Sequence, residues 1–480
     1  MSQATTAEID AIAAADRSAF KLRMASVLGT TVFVSLLCLI VMTAIPYGST
    51  QAWWKAAFVS IVFTLAILWL VEGFITESWF AGTGALVLPL AALALFSFLQ
   101  TLPLGKQSSI PGGIGFSPWN AVSADPYQTR FFALQLLALT LSGVMLARYV
   151  STEKRLRVLI NLVVLLAAAC AIFGILRQTT QRGAGFGLPL LLPDMGYGQF
   201  INKNHFAYLM ELSLGLVLGL ILGGGIKRDQ ALIYLAALLP LWIGLVLCSS
   251  RGGLVAMMAQ FVVAALLFSV VGRSGSSSKS DSKWLRLTRT RPVRLLLIFV
   301  LVAGVLLGTI WLGGDQLAMR IEESRNELSV DTAGTRQGAS RSEIWKATLK
   351  LIAAHPMLGV GMGGYWTAIP AYHDASGSLT PQEAHNDYLE LLASGGLVGL
   401  VLGGWFAVVV FLRTRENLGA RNRFRRAACL GATIGIAGVA VHSLVDFGLH
   451  AIVNALVFTT LIVIATSKPQ WANEPTKLYD

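Results

Sequence analysis

The stretch HNDYLELLASGGLVGLVLGGWFAVVVFL, residues 385–412, joins a cluster of polar side chains directly to an apolar run. The run covers residues 392–412, and a helix needs about 20 apolar residues to cross roughly 30 Å of hydrocarbon. His, Asn, Asp, Tyr and Glu all stand immediately before it. This arrangement predicts a transmembrane helix with ionisable groups gathered at one membrane face.

The composition of the whole chain supports a membrane protein. Of its 480 residues 55% are hydrophobic and 13% are charged, whereas soluble proteins carry about 25% charged residues. The net charge of +12 is assigned to loops that set membrane topology, not to nucleic acid. The four cysteines lie inside apolar runs, which indicates neither a disulfide framework nor a metal cluster.

Repeated apolar runs predict an all-α polytopic membrane protein with about twelve transmembrane helices. The residues from Val445 to Gly448 interrupt the last two runs. The predicted spans are 24–45, 53–72, 81–100, 129–149, 156–176, 204–224, 230–249, 252–272, 293–313, 392–412, 428–445 and 449–467.

Lysine and arginine gather in alternate loops, which fixes a predicted orientation. The basic loops 147–157, 226–230, 272–294 and 413–426 are placed inside, together with the tails 1–23 and 468–480. The first tail has no short apolar core followed by a cleavage site, so it is read as retained. Residues 24–313 then hold helices one to nine, 314–391 form an outer loop with short helices, and 392–467 hold the last three.

Two helix-start signatures are predicted in the outer loop. Ser340 and Glu343 resemble a capping box, and Pro356 ends that helix. Its apolar stripe predicts packing against the membrane or the bundle. Thr380 and Glu383 repeat the capping box, with Pro381 between them.

The second of these starts places His385 in the second turn of a helix, beside Asn386, Tyr388 and Glu390. The positive end of the helix dipole favours a neutral imidazole that could act as a base. The alternative is an interfacial histidine that packs under a loop.

Arg251, Arg341 and Asp446 are further candidates at the outer face. Arg251 stands between two spans with almost no loop, so it either faces a polar cavity or anchors the helix at the surface. Arg341 is either functional or a solvated surface charge. Asp446 lies four residues before His450, a pair that could simply hold a helical hairpin.

The loop 177–203 adds four polar candidates, whose alternative role is contact with lipid headgroups. They are Arg177, Lys203, Asn204 and His205. His373, Asp374, Glu383 and His385 lack the spacing of a zinc site, so no metal is predicted. The glycine-rich stretch 359–365 lacks the lysine of a phosphate loop, so nucleotide binding is discarded.

Arginines suit diphosphate recognition, and a histidine base suits a hydroxyl acceptor. At this point four stretches resemble the O-antigen ligase/polymerase superfamily: 198–216, "SRG" within 249–253, 341–365 and 385–399. The resemblance implies a C-type glycosyltransferase architecture with a periplasmic loop. It further implies a metal-independent, inverting transfer of a preassembled glycan from undecaprenyl pyrophosphate, without a cofactor, at the inner membrane.

On this resemblance His385 matches the family's catalytic histidine, and Arg251 and Arg341 match its arginines, with Arg336 as a rival for Arg341. The implied acceptor is lipid A-core for a ligase, a growing glycan for an O-antigen or exopolysaccharide polymerase, or a protein hydroxyl for an oligosaccharyltransferase. Chain-length or export proteins are compatible partners. The alternative from another class is a transporter of polysaccharide or lipid-linked glycan, although related halves are not evident.

Overall fold

The computed structural model describes residues 3–45, 47–79, 82–103, 121–180, 185–193, 195–226, 230–271, 341–373 and 381–468. Within these residues the chain is all-helical, and the only extended pairing is an isolated bridge between Tyr197 and Phe200. The helices are α1 (Gln3–Ala44), α2 (Ala52–Thr76), α3 (Gly84–Gln100), α4 (Pro126–Tyr149), α5 (Glu153–Thr180), α6 (Lys203–Leu222), α7 (Ala231–Leu247), α8 (Arg251–Val271), α9 (Arg341–Ala354), α10 (Tyr365–Ala368), α11 (Asp387–Asn417), α12 (Arg423–His442) and α13 (Ile452–Thr466).

The apolar helices follow the predicted spans closely. In the described part of the chain, seven are long and apolar enough to cross a membrane: α1 from Ala19 onward, α2, α4, α5, α6, α11 and α12. The shorter apolar helices α3, α7, α8 and α13 lie at four further predicted spans. The predicted span 293–313 lies outside the described residues, and α1 already begins at Gln3, within the predicted tail.

The helix α6 lies at the centre of the bundle, because 89% of the residues in its most apolar stretch are buried. It packs against α12 through facing glycines. A Cβ on Gly219 would lie 2.1 Å from the Cα of Gly431, and one on Gly215 would lie 2.3 Å from the nitrogen of Gly435. Small residues four apart on both helices let the backbones approach this closely. The close packing fixes the start of α6 against the end of α12.

A kink at Gly396 divides α11. Gly396 has φ 60° and ψ −159°, a backbone conformation essentially restricted to glycine. The freed backbone groups bond to the preceding loop: Leu397 N donates to Pro356 O at 2.8 Å, and Val360 N donates to Ala393 O at 3.0 Å. The kink therefore attaches α11 to a cap made by residues 356–361.

The helix α9 ends at Ala354, ahead of Pro356, as predicted, whereas Ser340 lies outside the described residues. It packs into a small core with the loop after it and with Ala384 and Ala393. The buried side of α9 is formed by Ile344, Ala347, Thr348 and Leu351, while Leu349 of the predicted stripe is exposed.

Candidate active site

Asp446 is the acceptor at the centre of a hydrogen-bond network between distant parts of the chain. Its side chain is 1% exposed. Arg341 Nη2 lies 3.1 Å from Asp446 Oδ2, and Asn204 Nδ2 donates to the same oxygen. Phe447 N donates to Oδ1 at 2.9 Å, and Ser250 Oγ donates to Asn204 Oδ1 at 2.8 Å. The network joins the start of α9, the start of α6 and the segment between α12 and α13.

The predicted pairing of Asp446 with His450 in a helical hairpin is wrong. Residues 443–445 form a turn, residues 446 and 447 have no regular structure, and a 3₁₀ turn covers Gly448–His450, so Asp446 and His450 do not stand one helical turn apart. Asp446 instead bonds to Arg341 and Asn204, and His450 turns to other carboxylates.

The ring of Phe447 lies among three histidines. Its centroid is 5.2 Å from that of His205, 4.8 Å from that of His385 and 5.4 Å from that of His450. All three contacts are edge-to-face, the arrangement that aromatic rings favour. Phe447 thus brings together side chains from α6, from the start of α11 and from the segment before α13.

The predicted place of His385 in the second turn of a helix is wrong. The helix α11 begins two residues later at Asp387, with Asn386 as its N-cap. The Asn386 side chain accepts hydrogen bonds from Tyr388 N and Leu389 N, both at 3.0 Å. This local cap replaces the one expected from Thr380, which lies outside the described residues, and from Glu383.

His385 adopts φ +50°, in the left-handed region that few residues other than glycine occupy. Such conformations often mark functional sites because the surroundings must hold them. Burial lowers the pKa of His385, the charge of Asp446 opposes this shift, and the charge of Arg341 adds to it. Its Nδ1 is buried and makes no hydrogen bond within the described residues. A neutral imidazole in this place can accept a proton.

Three carboxylates surround His450. Its Nδ1 is 3.3 Å from Glu383 Oε1, and its Nε2 is 3.6 Å from Glu390 Oε1 and 4.0 Å from Asp387 Oδ1. Burial lowers the pKa of His450, but the carboxylates outweigh this effect and raise it to about 10. Burial raises the pKa of Glu383, and the charge of His450 outweighs that effect to lower it to about 2.

These residues are the ones in the described chain that could hold a metal ion. Ligand atoms of Glu383, Glu390 and His450 lie within 4.8 Å of one another. The set predicted not to bind zinc, around His373 and Asp374, shares only Glu383 with this one, and Asp374 lies outside the described residues. An imidazolium at His450 offsets one of these carboxylate charges, and its 3.3 Å contact with Glu383 is an ion pair.

An apolar cavity of about 390 Å³ adjoins this cluster, between α3, α4, α11 and α13. Aliphatic and aromatic side chains such as Leu90, Phe132 and Phe458 line most of it. Asp387, Glu390 and His450 line it as well and bring the ionisable cluster to its wall. The arrangement suits a molecule with a long hydrocarbon chain and a polar head.

The remaining predicted site residues differ in their relation to the Asp446 network. Arg177 is 3% exposed and donates to the backbone oxygens of Gly198, Leu192 and Met195, so it holds its own loop. Tyr388 Oη donates to Ala440 O at 2.7 Å, a contact that ties α11 to α12. Arg251 begins α8 next to Ser250, Lys203 begins α6 next to Asn204, and Arg336 lies outside the described residues.

Two contacts of the site were not predicted from the sequence: Ser250 with Asn204, and Glu383 with His450. Within the "SRG" stretch only the arginine was proposed as a site residue. Glu383 was assigned to a helix cap. Only the fold shows that these residues meet, because their partners are far away in the sequence.

Residues 235–404 match the family model described as O-antigen ligase. Over this part of the chain the protein is similar to O-antigen ligases, and the match supports the O-antigen ligase superfamily. None of the curated proteins compared matches the chain. The O-antigen ligase match includes Arg251, Arg341 and His385, whereas Asn204 and Asp446 lie on either side of it. The match and the apolar helices support a multi-pass membrane enzyme of the O-antigen ligase/polymerase type.

Proposed function

We propose that the protein transfers a preassembled glycan from undecaprenyl pyrophosphate to a hydroxyl acceptor at the periplasmic face of the bacterial inner membrane. His385 removes the proton from the acceptor hydroxyl. The acceptor oxygen then bonds to the anomeric carbon while the bond from this carbon to the diphosphate oxygen breaks. The lipid diphosphate leaves with the bonding electrons. A single displacement of this kind inverts the configuration at the anomeric carbon.

The observation that carries the proposal is the position of His385, which is held at a positive φ against Phe447 and within the electrostatic reach of the Arg341–Asp446 ion pair. Burial and the charge of Arg341 both lower the pKa of His385, which leaves it able to accept a proton. Arg341 lies 3.1 Å from Asp446 and is 38% exposed, so its guanidinium is oriented but accessible to an anion. General-base catalysis is typically worth about 10²–10⁴-fold in rate, or about 3–5 kcal/mol.

The charge on the leaving diphosphate falls to Arg251 and Arg341. A guanidinium donates two parallel hydrogen bonds to phosphate oxygens and stays charged at any physiological pH. Two such groups supply the electrostatic stabilisation that a metal ion provides in other enzymes. We therefore include metal independence in the proposal. Arg336 is kept as the alternative loop arginine.

The apolar cavity supports a substrate carried on a lipid. Residues of α3, α4, α11 and α13 line the cavity. Each of these helices coincides with a predicted span. A polyprenyl chain in this cavity would leave its head beside the start of α11, close to His385. The proposed topology keeps twelve spans of C-type glycosyltransferase architecture, with both termini in the cytoplasm.

The acceptor within this proposal is a lipid A-core or a growing glycan, which corresponds to ligase or polymerase activity. A protein hydroxyl is the alternative acceptor. Asn204, His205, Asn386, Tyr388 and Glu390 remain proposed contacts to the substrates, since they lie at or next to the helix starts that form the site.

The test compares His385→Ala with His355→Ala in cells. His355 directly follows α9 and contacts Tyr372 instead of the proposed site. We expect His385→Ala to retain normal protein levels, to accumulate undecaprenyl-linked glycan and to lose the transferred product, while His355→Ala behaves as wild type. Unchanged product in His385→Ala would refute the base, and a block in outward lipid movement would favour a transporter.

A further inference from the structure

A buried pair of ionisable side chains lies in the bundle beneath the site. Glu211 on α6 and His442 at the end of α12 are both 0% exposed, and Oε1 of the first lies 2.7 Å from Nδ1 of the second. The imidazole stacks on the ring of Tyr208, with centroids 4.2 Å apart and planes at 27°. Ionisable residues inside membrane spans are costly and usually have a function.

The pair is too deep to touch a substrate. Glu211 stands eight residues after Lys203, the first residue of α6, and a helix rises about 1.5 Å per residue. The carboxylate therefore lies about 12 Å along the helix from its start. A role in chemistry by direct contact is excluded by this distance and by the full burial of both side chains.

Hydrogen bonds connect the pair to the segment that carries Asp446. His442 O accepts from Asp446 N at 3.1 Å, and Tyr208 Oη shares a hydrogen bond with Ser443 Oγ at 3.2 Å. Ser443 O accepts from Asp387 N at 2.9 Å. The residues just after His442 therefore hold both Asp446 and the start of α11.

The pair also contacts the start of α8. A Cβ on Gly252 would lie 2.5 Å from Nε2 of His442, so only glycine lets α8 approach this closely. Further along α8, Gln260 Nε2 donates to Glu211 O at 2.8 Å. Gly252 directly follows Arg251, so the position of this arginine depends on the packing against His442.

We infer that Glu211 and His442 form a positioning pair that aligns the starts of α6 and α8 with the segment after α12. These three segments carry Asn204, Arg251 and Asp446. The inference rests on the proposed function, because it assumes that these residues act together on the diphosphate. A misplacement of about 1 Å at a reacting group can cost about 10²-fold in rate.

The first test uses Glu211→Gln, His442→Asn and the exchanged double variant Glu211→His with His442→Glu in a reconstituted transfer assay. We expect each single variant to lose about 10- to 100-fold in kcat, with the KM for the donor changed by less than about twofold. The exchanged pair restores the contact in reverse and should recover most of kcat. The matched control is Glu72→Gln, which removes the buried Glu72–Arg148 pair (2.7 Å) near the ends of α2 and α4.

The second test needs no change of charge. Gly252→Ala should lower kcat because the new methyl group displaces α8 from His442. Gly404→Ala is the control, since a Cβ there meets nothing within 4 Å. Both substitutions place alanine in a helix, which by itself favours folding.

His385→Ala in the same assay separates the two proposals. Wild-type activity in His385→Ala would overturn the proposed function. An inactive His385→Ala together with wild-type kcat in Glu211→Gln, His442→Asn and Gly252→Ala would overturn the positioning pair alone. A folded exchanged pair that is no more active than the single variants would overturn it as well.

Discussion

Replacing Asp446 by asparagine should break the network at its centre. Three donors converge on the two carboxylate oxygens, from Phe447 N, Arg341 and Asn204. An asparagine of the same shape has one acceptor oxygen, so its NH₂ group must face at least one of these donors. Each hydrogen bond to a charged group is worth about 1.5–3 kcal/mol.

The size of the effect follows from burial. Asp446 is 1% exposed, but Arg341 is 38% exposed and can recover hydration when its partner is lost. The free energy lost with the arginine contact is therefore near the lower limit of this range. Asp446→Asn should in total lower the free energy of unfolding by about 2–4 kcal/mol. Because Arg341 is then no longer oriented, we also expect about a hundredfold loss of kcat.

The assay is transfer in proteoliposomes together with thermal unfolding followed by tryptophan fluorescence, for which the 12 tryptophans suffice. Asp125→Asn is the matched control. Asp125 caps α4 by accepting from Gln128 N at 2.9 Å, and asparagine caps helices equally well. Wild-type stability and kcat in Asp446→Asn would refute the reasoning about this network.

Three further outcomes are expected. Gly396→Ala should destabilise the protein by about 3 kcal/mol in thermal unfolding, because its Cβ would lie 2.3 Å from a backbone oxygen at a positive φ; an unchanged melting temperature would contradict the kink. The Glu383–His450 pair stabilises fully only above the ordinary Glu pKa of 4.5 and below the ordinary His pKa of 6.5, and fades toward pH 2 and pH 10. Glu383→Gln should therefore lower the melting temperature more at pH 6 than at pH 9.5, and an equal loss would count against the pair. The acid limb of kcat/KM should lie below pH 6.5, because burial lowers the pKa of His385. Asp446→Asn should move this limb to still lower pH, because the Asp446 carboxylate raises the pKa of His385. A shift of the limb to higher pH would disprove this coupling.

The sequence was sufficient to predict where the described apolar helices lie, because a bilayer imposes a length and a polarity that can be read locally. The runs at 204–224 and 428–445, for example, correspond to α6 and α12. The interruption between Val445 and Gly448 also marks a real break, since α12 ends at His442 and α13 begins at Ile452.

The arrangement of the site could be predicted only in part. His385, Arg341, Asn204 and Asp446 were identified as candidates one at a time. Their contacts join residues more than 100 positions apart in the sequence, as in Arg341 with Asp446, and no local periodicity encodes such a pairing. The start of α11 was predicted too early in the sequence, at a capping box formed by Thr380 and Glu383. In the structure the Asn386 side chain caps the helix instead.

The most direct test of the account is transfer by purified His385→Ala, with an undecaprenyl-pyrophosphate-linked glycan as donor and a saturating hydroxyl acceptor. The account predicts a loss of about 10²–10⁴-fold in kcat, with the donor still bound and the protein still folded. Transfer at the wild-type rate by this variant would contradict the assignment of His385 as the base.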